Sequence, residues 1–330
     1  MKLPIILSLF ITLTFSAGAN ENTDKNSETS DTISSRINQD TWYYNYSEQF
    51  DQPTQTSLLF NFSRENVKGS QISIFTNFAN KNVKNIQLAW GVNHTNKQVD
   101  GAQISGILNI AHQVDGFQLA GEINFAKKVD GWQVANINMA DTIKGVQLGL
   151  FNFANHIDGS TIGFFNYSKN GLLHLDILTS ESGMNMLKFA TGKTFFTSYT
   201  LGYTFDSETN PYRIGMGFGY HKDMNKLFFE GEFNGSLILD NQTKWSKVED
   251  LCDNSQKHCK EIRHNSLYSL SARLGWELFS NLSLFGGLNY NWLDTDEHGP
   301  LMNPWSDRMT ADYNDFHSWP GFELGVRIGR

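Results

Sequence analysis

A short repeat recurs along the first half of the chain and constrains the fold more than any other feature of the sequence. The units begin at Val67, Val83, Val99, Val114, Val129, Ile143 and Ile157. Their starts are therefore 16, 16, 15, 15, 14 and 14 residues apart. Each unit follows the pattern V-x-G-h-Q-h-x-h-x-N-h-A, where h is an apolar residue. A fixed period of this length indicates an architecture in which each unit contributes the same structural element.

Within each unit the side chains alternate in character with a period of two. In VDGFQLAGEINFA, Phe117, Leu119 and Ile123 fall on one face, while Gln118 and Asn124 fall on the other. This alternation is typical of a pleated strand, and helical spacing explains it less well. We therefore predict one strand of about ten residues for each unit, with the Asp-Gly or Lys-Gly pair marking a tight turn.

Two folds use strands that are apolar on one face and small or polar on the other. In an antiparallel transmembrane barrel, Gln103 would approach Asn124 and Gln118 would approach Asn109, because neighbouring strands run in opposite directions. In a soluble solenoid the apolar face would point into the coil, and Gln103 would instead stack on Gln118 about 4.8 Å away. The repeats alone leave both folds open.

The second half of the chain favours the barrel, because its strands alternate without repeating. PYRIGMGFGY places Ile214, Met216 and Phe218 on one face and Arg213 with three glycines on the other, which would not form a soluble core. Together with the seven repeats we count nine further strands, near 56–65, 170–180, 184–196, 198–206, 211–221, 226–240, 264–279, 281–293 and 320–329. The prediction is an all-β, antiparallel transmembrane barrel of about 16 strands, an even number as in bacterial barrels. The alternative is a β-solenoid joined to a small β-domain, in an exported protein that functions in binding or adhesion.

The polar faces of these strands would line the lumen of such a barrel. The candidate lumen-lining residues are Gln103, Gln118, Glu122, Arg213, Glu230, Glu232, Arg273, Glu277, Glu323 and Arg327. Their side chains would either surround a path for a small solute or pair with one another and fill the lumen. In the second case the barrel would be a scaffold that displays its loops.

The N-terminus predicts export. Residues 1–19 combine a lysine, an apolar run and a small-x-small end, as in a cleaved signal peptide, and residues 20–55 form a polar segment that we expect to be flexible. The barrel would occupy 56–330, with the repeat strands in 67–168 and the other strands in 169–330. Two long connections, 241–263 and 294–320, would face outward. These features predict a location in the outer membrane, with lipid and the barrel-assembly machinery as partners.

The remaining chemical signals are few. Cys252 and Cys259, the two cysteines of the chain, would form a disulfide in an exported protein. We find no motif of a metal site, a cofactor site or an enzyme, so none is predicted. The formal net charge of −8 argues against nucleic acid as a partner, and the sequence does not specify an oligomeric state.

Several stretches resemble the bacterial "surface repeat" proteins, a family of exported envelope proteins. The stretches are the serial V-x-G-x-Q…N-x-A units, NGLLHLDILTSE, GKTFFTSYTLGYTF and the ending HSWPGFELGVRIGR. The resemblance covers about residues 67–330 and implies a location in the cell envelope. It implies no catalytic residue.

Overall fold

The computed structural model describes residues 39–40, 43–47, 54–204, 212–239, 265–294 and 316–329. In these ranges the regular elements are strands, which fall into two sheets. The first sheet contains β1 (Gln39–Asp40), β2 (Tyr44–Ser47), β3 (Thr54–Thr56), β4 (Phe60–Ser63), β5 (Ser70–Ser73), β6 (Thr76–Ala79), β7 (Ile86–Ala89), β8 (Val92–Ser105), β9 (Leu108–Ala120), β10 (Ile123–Val134), β11 (Ile137–Leu148), β12 (Phe151–Ile162) and β13 (Phe165–Ser168). The second contains β14 (Leu172–Ser180), β15 (Asn185–Gly192), β16 (Phe195–Tyr203), β17 (Tyr212–Met224), β18 (Leu227–Leu239), β19 (Asn265–Phe279), β20 (Leu282–Asp294) and β21 (Phe316–Gly329). Within the same ranges, no helix has the length and apolar character needed to cross a membrane.

The repeats form a parallel solenoid, not an antiparallel meander. Strands β8 to β12 lie side by side in parallel, and Gln103 is paired with Gln118 while Asn109 is paired with Asn124. The predicted approach of Gln103 to Asn124 was therefore wrong, and so was the assignment of 67–168 to a barrel. The reason is chemical: an amide side chain is both donor and acceptor, so identical amides stacked in register can bond to one another along the coil axis.

The interior of the solenoid consists of stacked identical residues. Gln118 Nε2 donates to Gln103 Oε1 at 2.7 Å, and Asn109 Nδ2 donates to Asn124 Oδ1 at 3.0 Å. Beside these amides lies a buried apolar column formed by the first residue of each unit, namely Val67, Val83, Val99, Val114, Val129, Ile143 and Ile157. Small buried alanines complete the narrow core. The face pattern was predicted correctly as alternation, but the polar face points inward and the large apolar face points outward.

The Asp-Gly and Lys-Gly pairs mark a bend within a strand, where the sequence predicted a tight turn. Gly131, for example, lies inside β10 with φ at 136°, a value that side-chain-bearing residues rarely adopt. A Cβ atom on Gly131 would lie 2.0 Å from the carbonyl oxygen of Gly116 in the preceding coil. Glycine is therefore required twice over, by conformation and by the close contact between coils. The chain bends there but continues in the same strand.

The solenoid begins before the first predicted repeat. Residues of β2 and β3, assigned from sequence to the flexible segment 20–55, continue both ladders: Asn45 Nδ2 donates to Asn61 Oδ1 at 3.2 Å, and Gln71 Nε2 donates to Gln55 Oε1 at 2.7 Å. The predicted signal peptide 1–19 lies outside the described residues.

The second sheet is a closed antiparallel barrel of eight strands, β14 to β21, in which β14 pairs with β21. These strands lie near the last eight of the nine non-repeat strands predicted from sequence. The predicted total of about 16 barrel strands is not confirmed, because the strand near 56–65 and all the repeats belong to the solenoid. Most of the two predicted long connections, 241–263 and 294–320, lies outside the described residues, although β21 already begins at Phe316.

The two ends of the barrel differ. At one end, which we call the termini end, β14 begins, β21 finishes, and two-residue turns join the strands at 193–194, 225–226 and 280–281. At the opposite end, the loop end, the turn 181–184 lies beside the strand ends that lead into the connections between β16 and β17, β18 and β19, and β20 and β21. The short turns and the longer connections are thus segregated.

Candidate functional site

The interior of the barrel is lined by charged side chains. Along β18, Glu230, Glu232 and Asn234 point inward and are buried, whereas Phe229 and Phe233 point outward and are exposed. The same alternation runs along the other barrel strands. A buried charge is costly unless it is paired and hydrogen-bonded. The partners of these carboxylates therefore determine whether the lumen is filled or open.

The first cluster lies toward the termini end and is centred on Arg327. Its guanidinium donates to Asp176 at 2.8 and 2.9 Å and to both carboxylate oxygens of Glu230 at 2.7 Å. Glu230 also lies 2.8 Å from His221 Nδ1, and the guanidinium of Arg327 stacks over the ring of Phe228 at 4.4 Å. Fork geometry of this kind is the strongest common form of side-chain ion pair. We call Asp176, His221, Glu230 and Arg327 the Arg327 cluster.

The second cluster lies toward the loop end and is centred on Arg273. Arg273 contacts Glu232 and Glu323, and Glu232 accepts further bonds from Lys188 Nζ at 2.8 Å and Ser198 Oγ at 2.6 Å. We call Lys188, Glu232, Arg273 and Glu323 the Arg273 cluster. Its central arginine also lies 3.7 Å from Glu230, so the two clusters form one connected network.

The network is balanced in charge. Four buried carboxylates, Asp176, Glu230, Glu232 and Glu323, face four buried cations, Lys188, Arg213, Arg273 and Arg327. Arg213 is held by Ser236 Oγ at 2.9 Å and by Asn234 Oδ1 at 3.1 Å. The carboxylates are thus paired with cations across the lumen, whereas Arg213 is held by neutral hydrogen-bond acceptors.

The network lies between two vestibules of the lumen. The vestibule at the loop end is lined by Glu181, Arg213 and Trp319 among others, and the one at the termini end by Leu172, His221 and Lys226 among others. Among the described residues, no lining residue is shared between the two. The interior of this eight-stranded barrel is thus filled by its own side chains, as the small diameter of such barrels favours.

The candidate lumen residues fall into three groups. Arg213, Glu230, Glu232, Arg273, Glu323 and Arg327 lie inside the barrel. Gln103 and Gln118 were assigned to the wrong cavity, because they form part of the amide ladder inside the solenoid. Glu122 and Glu277 are exposed: Glu122 lies on the outer surface of the solenoid, whereas Glu277 keeps the inward phase of β19 and lines the vestibule at the termini end of the lumen.

Three members of the network, Asp176, Lys188 and His221, were not among the candidate lumen-lining residues. Their alternation with the exposed Leu175, Leu187 and Tyr220 was the signal that could have identified them. His174 is also buried, with Nε2 3.7 Å from Asp176, and neither of its ring nitrogens has a hydrogen-bond partner within the described part of the chain. Cys252 and Cys259 lie outside the described residues, so their disulfide stays a prediction.

The outer wall of the barrel has the opposite character to its interior. Large apolar side chains are exposed on all eight strands, including Leu175, Leu187, Leu201, Phe218, Phe233, Leu274, Leu288 and Leu324. Leu274, near the middle of β19, is 54% exposed, and Leu288 is 73% exposed. The barrel is therefore charged inside and apolar outside, the reverse of a soluble protein.

The fold defines an all-β protein that combines a parallel solenoid with a closed eight-stranded antiparallel barrel. No protein-family model matches the chain, and no curated protein matches it. Among solved structures, the chain is similar to the crystal structure of Neisserial surface protein A (NspA), with 13% sequence identity over 48% of this chain and 93% of that chain and a TM-score of 0.27.

Proposed function

We propose that this chain is an outer-membrane protein whose barrel spans the bilayer as a closed anchor and carries the solenoid. The observation behind the proposal is that the barrel has charged side chains inside and apolar side chains outside. A soluble protein rarely exposes a contiguous apolar patch larger than a few hundred Å². A wall of exposed leucine and phenylalanine around all eight strands is expected where the surrounding solvent is lipid.

Aromatic side chains near the strand ends support this orientation in a bilayer. At the loop end Tyr203 packs against Tyr212 with ring centroids 4.8 Å apart, and at the termini end Phe195 packs against Tyr220 at 5.9 Å. Aromatic girdles at both interfaces, flanking an aliphatic band, are typical of transmembrane barrels. The resemblance of the sequence to exported surface-repeat proteins agrees with this location, and outer-membrane lipid and the barrel-assembly machinery are then the expected partners.

The filled lumen supports an anchor in preference to a pore. A solute crossing the barrel would have to separate Arg327 and Arg273 from their carboxylates, and breaking one partner from a buried ion pair costs about 3–5 kcal/mol. We therefore propose that the barrel does not conduct small solutes. Its role would be to hold the loop-end connections on one side of the membrane and the solenoid at the other end.

Membrane fractionation tests the anchor. The full chain, expressed in a Gram-negative host, should stay in the outer-membrane fraction after washing with alkaline carbonate. It should also migrate differently in gels before and after heating, because closed barrels resist unfolding by detergent. Release of the chain by carbonate would contradict the membrane-spanning barrel.

Conductance measurements test the closed lumen separately. The purified chain in planar bilayers should give no stepwise currents under conditions in which a porin, used as the positive control, conducts. Reproducible current steps from a carbonate-resistant chain would leave the membrane barrel in place but contradict the closed lumen.

A further inference from the structure

The outer surface of the solenoid is divided between an apolar side and a charged side. Each coil turns at two corners, and one of them carries large exposed apolar side chains, among them Phe75, Trp90, Ile107, Leu150 and Phe164. We call this the apolar corner. Trp90, the most exposed of these residues, shows 73% of its surface. The strands on either side of this corner also carry exposed apolar side chains on their outer faces, such as Ile86, Leu119, Trp132 and Leu148.

The opposite corner, at the glycine bend, is charged. Its exposed side chains include Lys97, Asp100, His112, Lys127, Asp130, Asp141 and Asp158. We call this the charged corner. Ile107 and His112 belong to one coil and are five residues apart, so the two corners are separated by about 17 Å of extended chain.

The backbone at the apolar corner is hydrogen-bonded from coil to coil. Trp90 N donates to Ile74 O at 2.8 Å, and Gly106 N donates to Trp90 O at 2.8 Å. From inside, the asparagine ladder binds the carbonyls near the same corner, as when Asn109 Nδ2 donates to Leu119 O at 2.8 Å. A backbone whose polar groups are paired in this way can lie in hydrocarbon, where an unpaired group would cost several kcal/mol. This also gives a reason for the asparagine in every unit.

The apolar corner is interrupted in two neighbouring coils by Glu122 and Asn136. The two side chains bond to each other, with Asn136 Nδ2 donating to Glu122 Oε2 at 3.2 Å. At the depth of the apolar corner both side chains would lie in hydrocarbon, where the bond between them lowers the cost of burying two polar groups.

The last coil of the solenoid packs against the outside of the barrel wall. Its open edge is capped by outward-facing barrel side chains: Thr197 Oγ1 donates to Gly163 O at 2.6 Å, and Tyr199 OH donates to Phe164 O. The rings of Phe164 and Tyr199 are also in contact, with centroids 5.2 Å apart. The apolar corner is therefore continuous with the outer apolar wall of the barrel.

The charged corner meets the barrel at a different height. Lys193, in the two-residue turn before β16, donates to Ile157 O at the charged corner. Lys193, at the rim of the barrel, thus contacts the charged corner. Thr197 and Tyr199, farther from the rim along β16, contact Gly163 and Phe164 at the apolar corner. The solenoid is held with its charged corner at the rim and its apolar corner toward the middle of the wall.

We infer that the solenoid is an arm that lies in the plane of the membrane, with its apolar corner inserted among the lipid acyl chains of one leaflet and its charged corner in water. The inference depends on the proposed membrane-spanning barrel. Lipid acyl chains are the partner of the apolar corner, because this surface is continuous with the lipid-facing outer wall of the barrel. A depth of about 17 Å is close to half of a hydrocarbon core about 30 Å thick. The leaflet is the one at the termini end, which is the periplasmic leaflet when the short turns face the periplasm.

Site-directed spin labelling of the full chain in phospholipid vesicles tests the arm. Single cysteines replace Ile107 (I107C), His112 (H112C) or Leu274 (L274C), in a background in which Cys252 and Cys259 are changed to serine. All three labelled side chains are exposed, so the labels need not disturb the core. Collision with oxygen, which dissolves in hydrocarbon, is compared with collision with a water-soluble nickel chelate.

We expect labels at Ile107 and Leu274 to collide with oxygen and to be protected from nickel, and the label at His112 to show a several-fold lower ratio of oxygen to nickel collisions. Nickel access at both Ile107 and His112, with Leu274 protected, would overturn the arm while leaving the barrel intact. Protection at both Ile107 and His112 would overturn the orientation in which the charged corner lies in water. Nickel access at Leu274 would instead contradict the proposed membrane barrel.

Discussion

Replacing one glutamine of the solenoid ladder should destabilise the solenoid far more than replacing a glutamine on its surface. Gln118 is fully buried, donates to Gln103 Oε1 at 2.7 Å and accepts from Gln133 Nε2 at 2.7 Å. Gln118→Ala therefore leaves one buried acceptor and one buried donor without a partner. Each such group costs about 1–3 kcal/mol, so the expected loss is about 2–6 kcal/mol in the free energy of unfolding of the solenoid.

The matched control is Gln113→Ala in the same coil. Gln113 is partly exposed and donates to Asp115, so its replacement should change the free energy by no more than about 0.5 kcal/mol. Hydrogen exchange of peptides from the repeat region, measured by mass spectrometry across a urea series, reports the stability of the solenoid apart from that of the barrel. Equal urea midpoints for the two variants would refute the argument that the amide ladder holds the coils together.

Three further outcomes are expected. Arg327→Met should destabilise the barrel by about 3–5 kcal/mol in urea titrations in vesicles, because two buried carboxylates lose their partner. Gly131→Ala should abolish protection of the repeat amides from hydrogen exchange, because its Cβ would collide with the preceding coil, whereas Gly231→Ala, where nothing lies within 4 Å of the added Cβ, should leave exchange unchanged. Cys252 and Cys259 should be recovered as a disulfide when the protein is isolated without reductant, and free thiols found at both by mass spectrometry would contradict this prediction.

The alternation of side chains in the repeats was predictable from sequence, but the direction of neighbouring strands was not. Period-two alternation assigns residues such as Gln118 and Phe117 to opposite faces and says nothing about which strand lies alongside. The recurrence of Gln and Asn at the same place in every unit was the informative signal, because only a parallel register lets identical amides bond to one another. The non-repeating strands of the second half favour an antiparallel barrel, and extending that arrangement to the repeats is wrong.

The barrel was easier to predict strand by strand than as a whole. Each strand from residue 170 onward combines apolar side chains with charged or small ones, so its position was visible in a short window of sequence. Closure was not visible, because it depends on pairing β14 with β21 at the far end of the chain. Without that information the repeat strands were counted with the barrel, although they belong to the solenoid.

The sequence likewise did not predict which charged side chains pair with each other inside the barrel. Asp176 and Arg327 are 151 residues apart and meet only because the barrel closes. Glu277 follows the alternation of β19 and lines the vestibule at the termini end, as its pattern predicts, but it is exposed because that end of the lumen is open. Alternation predicts which residues share a face, but it predicts neither their partners nor their burial.

The cost of placing arginine at two depths on the outer wall tests the membrane-spanning barrel most directly. Leu274 and Leu278 are exposed leucines on the outward face of β19, the first near its middle and the second at its termini end. In urea titrations in phospholipid vesicles, Leu274→Arg should lower the free energy of unfolding by about 2–4 kcal/mol and Leu278→Arg by about 0–1 kcal/mol, because the penalty for a charge falls toward the interface. Changes within about 0.5 kcal/mol of zero at both positions, as expected for surface leucines in water, would contradict the membrane-spanning barrel.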